Sequence, residues 1–163
     1  MRPSLDETML EVARCLARRA TCTKLSVGCV LVDIHGRIIG SGYNGVPRGM
    51  PHCISYPCAG ADMPSGSDTC EAVHAEQNAL LACRDVNAIT TAYITHAPCL
   101  RCVKMLLNTS CRYLVLGSVW GEPAALDLWT RGGGSCYVLG GDVNRDAYLP
   151  TTARYVLGPL PGG

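Results

Sequence analysis

Two short runs of the sequence carry residues that can bind a metal ion. His74 and Glu76 are separated by one residue, and Cys99 and Cys102 are separated by two, with Pro98 directly before the first cysteine. Two thiolates and one imidazole make three protein ligands, as in a catalytic zinc site that leaves a fourth position for water. A carboxylate is a hard ligand beside soft thiolates, so we interpret Glu76 as the general acid/base.

The predicted helices support this interpretation. Helical spacing over residues 71–84 puts His74 and Glu76 in the first one or two turns of a helix. A second helix, predicted over 99–107, has both cysteines on one side of its first turn. The positive end of the helix dipole lies there and favours the thiolate over the thiol.

Each run also has a less specific interpretation. A Cys-x-x-Cys pair occurs in structural zinc sites and in redox motifs. A His-x-Glu pair by itself usually belongs to a solvated helix surface. Three ligands together with an acid, in this order, favour a catalytic zinc over a structural one.

Composition limits the class of protein. The chain has 163 residues, of which 48% are hydrophobic, enough for one compact domain with a full core. Its net charge of +1 gives no general attraction to nucleic acid or to an anionic membrane. The sequence begins without an apolar signal region, and no apolar run reaches the ~20 residues that span a bilayer. We expect a soluble, cytoplasmic protein that binds neither nucleic acid nor membrane.

Apolar periodicity predicts nine helices and strands. The first helix, capped by Ser4, should present Leu5, Met9, Val12 and Leu16 on one apolar face. The α-β-β-α-β-α-β-α-β order predicts an α/β fold, a three-layer α/β/α sandwich around a mixed five-stranded sheet. The elements are the Ser4-capped helix, strands at 26–34 and 37–43, a helix at 71–84, a strand at 93–95, a helix at 99–107, a strand at 113–116, a helix at 123–129 and a strand at 137–139.

We predict a single domain over residues 1–163 with two irregular parts. Residues 47–70 form a Cys-rich insertion without periodicity, and a loop of that length inside a compact domain is usually functional or held by a metal. The chain from about residue 141 onward is an irregular tail rich in Pro and Gly.

Beyond the metal motif, three segments resemble the deoxycytidylate (dCMP) deaminase family. They are residues 19–22 leading into 26–30, residues 42–47 followed by 49–53, and residues 93–96 before Pro98. The H-x-E and P-C-x-x-C runs match the signature of zinc-dependent nucleobase deaminases. The resemblance extends from about residue 5 to residue 139.

The resemblance implies hydrolysis of dCMP to dUMP and ammonia, which supplies dUMP for thymidylate synthesis. Zinc would activate a water for attack at C4 of cytosine. Glu76 would carry the water's proton to N3 and then protonate the leaving ammonia. The resemblance also leaves room for another free nucleotide, dCTP or a 5-modified dCMP.

The resemblance further implies a set of substrate contacts. Asn44 would reach the sugar, and the backbone N–H of Ala75 would donate to the pyrimidine O2. His96 and Pro98 would line the base pocket, although His96 fits a packed histidine equally well. Trp120 stands where the family usually has Tyr.

Position 124 also departs from the family pattern. Ala124 stands where a second Tyr is common. Together with Trp120, this departure leaves room for a pyrimidine with a 5-substituent as the substrate.

The insertion suggests a second, structural zinc. Family members with this longer loop hold a zinc there, and four thiols could bind it, with His52 as a rival ligand. Ordinary buried cysteines are the alternative. The candidate ligands are Cys22, Cys53, Cys58 and Cys70; we interpret the other cysteines outside the catalytic motif as core residues, namely Cys15, Cys29, Cys83, Cys111 and Cys136.

The loop of Gly42, Tyr43, Asn44 and Gly45 would be part of an effector site. The family binds dCTP with Mg²⁺ as an activator and dTTP as an inhibitor there, between subunits, which implies a homohexamer. By itself an Asn-Gly pair is only a turn.

A non-catalytic zinc-binding module is the alternative from a different class. Glu76 argues against it, because a structural zinc needs no proton carrier. Deaminases of polynucleotides are disfavoured, because no basic stripe with interleaved aromatic residues is present.

Overall fold

The computed structural model of the chain describes residues 1–119 and 123–139. Trp120 and the tail predicted from residue 141 lie outside the described residues. Within the described part, no helix combines the length and the apolar character needed to cross a bilayer.

The predicted order of helices and strands is confirmed. A short 3₁₀ turn at Val86–Ala88 was not predicted, and residues 47–70 contain neither helix nor strand, as expected. The elements are α1 (Leu5–Ala17), β1 (Gly28–Val32), β2 (Ile38–Tyr43), α2 (Ala75–Ala82), β3 (Thr91–Ile94), α3 (Leu100–Leu107), β4 (Tyr113–Leu116), α4 (Pro123–Arg131) and β5 (Ser135–Val138).

The sheet is mixed and five-stranded, in the order β2-β1-β3-β4-β5. Strand β1 is antiparallel to β2 and to β3, whereas β3, β4 and β5 are parallel to one another. The β1–β2 hairpin turns at Gly36, whose φ of 72° favours glycine. Helices α3 and α4 connect the parallel strands, so the end of β3 leads directly towards the start of α3.

Alternate strand residues pack into two cores on opposite faces of the sheet. On one face Val30, Tyr93 and Val115 pack with Ala13 of α1. The other face packs against the remaining helices, which completes the predicted three-layer sandwich. Its strand residues include Leu31, Ile94 and Leu116, and its helix residues include Ala79, Val103, Leu106 and Trp129.

The apolar face predicted for α1 is rotated relative to the observed one. The buried residues are Asp6, Leu10, Ala13 and Ala17. The predicted Met9, Val12 and Leu16 are partly buried and pack against the same core, whereas Leu5 is 48% exposed. Small residues let the helix approach closely: a Cβ on Gly28 would lie 1.9 Å from the Ala13 carbonyl oxygen. The predicted Ser4 cap is confirmed, since Glu7 N–H donates to Ser4 Oγ.

A buried hydrogen bond ties α1 to the centre of the sheet. The Tyr93 hydroxyl donates to Asp6 Oδ1 at 2.7 Å, and both residues are buried. A buried carboxylate needs such donors, so this bond explains why an acidic residue faces the sheet.

We predict that Tyr93→Phe destabilises the fold. Loss of a donor to a buried carboxylate costs about 1–3 kcal/mol in the free energy of unfolding. Urea unfolding measures this as a lower midpoint at unchanged m-value. Tyr113→Phe is the control, because Tyr113 is 40% exposed. Equal midpoints for the two variants would contradict a stabilising role for the Tyr93–Asp6 bond.

Candidate metal centre and active site

The N-termini of α2 and α3 bring the predicted zinc ligands together. His74 is the N-cap residue of α2 and Cys99 is the N-cap residue of α3. His74 therefore lies just before the helix. Its predicted position in the first one or two turns of the helix was wrong. The reason is that Val73 forms an isolated antiparallel bridge with Gly45, with N···O distances of 2.8 and 3.1 Å. This pairing keeps the chain extended up to His74.

The spacing of the three ligands fits zinc. His74 Nδ1 lies 3.5 Å from Cys99 Sγ and 3.4 Å from Cys102 Sγ. Tetrahedral zinc with its usual bond lengths places nitrogen and sulfur ligands roughly 3.5 Å apart. Among the described residues, these three form the one group of at least three potential ligands that lie within 4.8 Å of one another.

The two thiols differ in their tendency to ionise. Hydrogen bonding from Cys102, with a further contribution from His74, lowers the pKa of Cys99 to about 3. The neighbouring Cys99 thiolate, burial and the charge of Glu76 all raise the pKa of Cys102. Cys99 therefore ionises more readily than Cys102, and binding of a divalent cation displaces the thiol protons that remain.

Glu76 lies beside the ligand group without belonging to it. The residue is in the first turn of α2 and is only 4% exposed. Burial raises the pKa of its carboxyl group, while its own backbone N–H and the charge of His74 oppose the shift. A raised pKa suits a group that must both accept and return a proton near neutral pH.

His74, Cys99 and Glu76 line a cavity of about 520 Å³, whereas the third ligand, Cys102, is fully buried. The predicted substrate residues Asn44, Ala75, His96 and Pro98 line the same cavity, so the structure brings them together with the metal ligands. Trp120 is outside the described residues.

Asn44 has a role that the sequence did not indicate. Its side-chain oxygen accepts from Val27 N–H at 2.8 Å, and its amide nitrogen donates to the Leu25 carbonyl at 2.7 Å. The side chain thereby fixes Leu25 and Val27, which form part of the cavity wall. Among the contacts of the described residues, one amide hydrogen and one oxygen lone pair of Asn44 have no partner.

Sequence reasoning missed Lys24. It is the one Lys or Arg among the described residues lining the cavity, and its ammonium donates to the Met63 carbonyl in the insertion. The insertion is also joined to α3 by the ion pair between Asp68 and Arg101. In the sequence, nothing separates Lys24 from the other basic residues of a solvated surface.

The thiols of the insertion only partly approach one another. The Cys58 backbone N–H donates to Cys53 Sγ at 3.5 Å and lowers the pKa of the Cys53 thiol. Cys22 and Cys70 line the catalytic cavity. No three of the proposed second-zinc ligands, His52 included, have their ligand atoms within 4.8 Å of one another, and all of them belong to the described residues.

The prediction for the remaining cysteines is correct for three of them. Cys29, Cys111 and Cys136 are buried, but Cys15 is exposed and Cys83 is half-buried. Cys15 lies on α1 between the buried Ala13 and Ala17, on the outward side of the helix. Cys83 is the C-cap residue at the end of α2.

The glycines of the predicted effector loop have packing roles in the fold. A Cβ on Gly42 would lie 2.6 Å from the Ala79 nitrogen and 2.7 Å from the Ala75 carbonyl oxygen. A Cβ on Gly45 would lie 2.4 Å from Thr21 Oγ1. Gly42 therefore allows β2 to pack directly against the helix that carries Glu76.

Comparison with known proteins identifies the class. The family model of the cytidine and deoxycytidylate deaminase zinc-binding region matches residues 3–118. The chain belongs to this family of deaminases, and its His74, Cys99 and Cys102 cluster suits the zinc site for which the family model is described.

Individual relatives give a more specific picture. The deoxycytidylate deaminase of Mycobacterium phage D29 is 41% identical over 113 residues, which are 64% of this chain and 88% of the phage protein. The deoxycytidylate deaminase of Schizosaccharomyces pombe is 43% identical, but the match covers 62% of this chain and 33% of the yeast protein. ComE operon protein 2 of Bacillus subtilis is 32% identical over 81% of this chain and 69% of its own length.

A solved structure shares the fold. The dCMP deaminase of cyanophage S-TIM5, in complex with dCMP and dUMP, superposes with a TM-score of 0.70 and 23% identity. The match covers 85% of this chain and 99% of the cyanophage chain. The α/β sandwich predicted from the sequence is therefore the fold of the family.

We predict that Cys102→Ala lowers the zinc content by about one ion per chain, because two remaining ligands hold zinc weakly. Elemental analysis of purified protein measures the ratio. Cys111→Ala is the matched control, since Cys111 is a fully buried thiol outside the ligand group. Unchanged zinc in Cys102→Ala, or equal loss in both variants, would contradict the assignment.

Proposed function

We propose that this chain hydrolyses dCMP to dUMP and ammonia. The observation that carries the proposal is the buried carboxylate of Glu76 beside a three-ligand metal cluster in a cavity. Three ligands leave a coordination position for a reacting water, and a structural zinc would use four. The 41% identity to a phage deoxycytidylate deaminase supports the choice of substrate.

Each of these residues has a separate role in the proposed reaction. His74, Cys99 and Cys102 would hold the zinc, which would supply Lewis acidity that lowers the pKa of water. Glu76 takes one proton from the attacking water and delivers it to N3 of cytosine; it then takes the proton of the hydroxyl formed at C4 and gives it to the amino group, which leaves as ammonia while C4 becomes a carbonyl. The backbone N–H of Ala75 donates to the pyrimidine O2. As the first residue of α2, Ala75 has no carbonyl partner for this N–H within its own helix.

The charge of the cavity supports a nucleotide rather than a nucleoside substrate. Among the described residues, the hydrogen-bond partner of the Lys24 ammonium is a neutral carbonyl in the insertion, and a phosphate forms a stronger, charge-assisted hydrogen bond with an ammonium. A 5′-phosphate in the cavity would therefore replace the Met63 carbonyl as the partner of Lys24.

The remaining proposals concern regulation, a second metal ion, and the pathway and cellular location. The resemblance of the loop Gly42–Gly45 to the family supports activation by dCTP with Mg²⁺ and inhibition by dTTP in a homohexamer. The thiols of Cys22, Cys53, Cys58 and Cys70, with His52 as a rival, support a second zinc that would draw the insertion together. The product dUMP would feed thymidylate synthesis in the cytoplasm.

We predict that Glu76→Gln abolishes deamination while zinc is retained. The amide cannot carry the proton, and removal of a general acid/base costs roughly 10²–10⁴-fold in kcat. Ammonia release from dCMP and zinc per chain are measured on the same preparation. Near-normal turnover in the zinc-loaded variant would exclude Glu76 as the proton carrier.

We predict that Lys24→Met weakens the use of dCMP by roughly 10-fold or more in kcat/KM, because a charge-assisted hydrogen bond is lost. Turnover of deoxycytidine, which has no phosphate, should change little. Lys104→Met is the control, since Lys104 is an exposed residue of α3 outside the cavity lining. An equal loss on both substrates would show that Lys24 acts on the fold of the site and not on the phosphate.

A further inference from the structure

His96 occupies a wall that separates two cavities. It is half-buried and lines the catalytic cavity. It also lines a second, more open groove of about 330 Å³, whose lining includes Arg14, Ser26 and Ser118. Among the described residues, His96 is the one that lines both. The reaction steps assigned to Glu76 and Ala75 make no use of it.

Thr95 contacts the Nδ1 atom of the His96 imidazole. Its hydroxyl oxygen lies 3.0 Å from His96 Nδ1 and accepts a hydrogen bond from Gly28 N–H at 3.1 Å. The backbone of Thr95 is also fixed, because its N–H donates to the Gly28 carbonyl and its carbonyl accepts from Ser118 Oγ. Thr95 is buried, so its hydroxyl hydrogen needs an acceptor within the protein.

These contacts determine which ring nitrogen carries the proton. Within the described residues, the acceptor left for the Thr95 hydroxyl hydrogen is His96 Nδ1. A hydroxyl that donates to Nδ1 requires the neutral tautomer with its proton on Nε2. Burial also lowers the pKa of His96, which favours the neutral ring.

The Nε2 edge is therefore a fixed donor. No partner for Nε2 exists among the described residues. Under the proposed function, the polar atoms of the pyrimidine already have partners in the zinc site, Glu76 and the Ala75 N–H. The acceptors that remain on the substrate are the oxygens of the sugar and the 5′-phosphate.

We propose that His96 is a specificity residue whose Nε2–H donates to a sugar or phosphate oxygen of the substrate, and that Thr95 is the positioning residue that sets its tautomer. The proposal rests on the proposed function for the identity of the substrate. The tautomer itself follows from contacts within the chain and does not depend on that function.

The first test is the tautomer, measured by long-range ¹H–¹⁵N NMR on zinc-loaded protein. The expected spectrum shows His96 with Nε2 protonated and Nδ1 unprotonated. Thr95→Val removes the hydroxyl at similar shape and should give a mixture of tautomers, whereas Thr95→Ser should keep the wild-type pattern. A Nδ1–H tautomer in the wild type, or no change in Thr95→Val, would overturn the proposal.

The second test is a substrate comparison with His96→Leu and His96→Gln. Loss of a neutral hydrogen bond should raise KM for dCMP roughly 3–10-fold in His96→Leu, with kcat and zinc content little changed. The amide N–H of Gln should restore part of the affinity. If deoxycytidine suffers the same loss, the acceptor is on the sugar; if deoxycytidine is unaffected, it is on the phosphate.

An unchanged KM for both substrates in His96→Leu would overturn the donor role while leaving the proposed function intact. Absence of dCMP turnover in the wild-type enzyme would instead overturn the proposed function. The two failures are therefore distinguishable.

Discussion

The meeting of two helix N-termini is the constraint on which the site depends. His74 caps α2 and Cys99 caps α3, and their ligand atoms lie 3.5 Å apart. Helix α3 begins just after β3 ends, so its N-terminus lies at the carboxyl end of that strand. The contact between the two N-cap residues places the N-terminus of α2 at the same end of the sheet. In sheets with parallel strands, ligands usually bind at the carboxyl ends of the strands. Here the connection from β3 to α3 contributes His96, Pro98 and Cys99 to the lining of the cavity.

Backbone contacts set the position of α2 relative to the sheet. Gly40 and Gly42 lie so close to α2 that a Cβ on either would come within 2.6 Å of its backbone. The Asn78 side chain donates to the Tyr43 carbonyl, and the bridge between Val73 and Gly45 fixes the entry of the helix. The Gly-Tyr-Asn-Gly run that resembles an effector loop is thus also the support of the helix that carries Glu76.

Local patterns predicted most of the fold and the ligands of the metal. β4 has the predicted bounds, and α3 begins one residue later than expected, because both have strong apolar patterns and little competition from other contacts. The predicted start of α2 at residue 71 was wrong, because Val73 pairs with Gly45. This is a contact between distant residues, which helical spacing cannot reveal. Lys24 and the clamp made by Asn44 were missed for the same reason, since each depends on a carbonyl of a distant segment.

Isotope labelling tests the central claim most directly. If the zinc-loaded enzyme hydrolyses dCMP in H₂¹⁸O, each dUMP formed in a single turnover should carry one ¹⁸O at C4, with one equivalent of ammonia released. Mass spectrometry of the product and an ammonia assay measure the two quantities, and protein stripped of zinc should yield neither. Absence of dUMP from zinc-loaded wild-type protein, or dUMP without solvent oxygen at C4, would contradict hydrolytic deamination at this site.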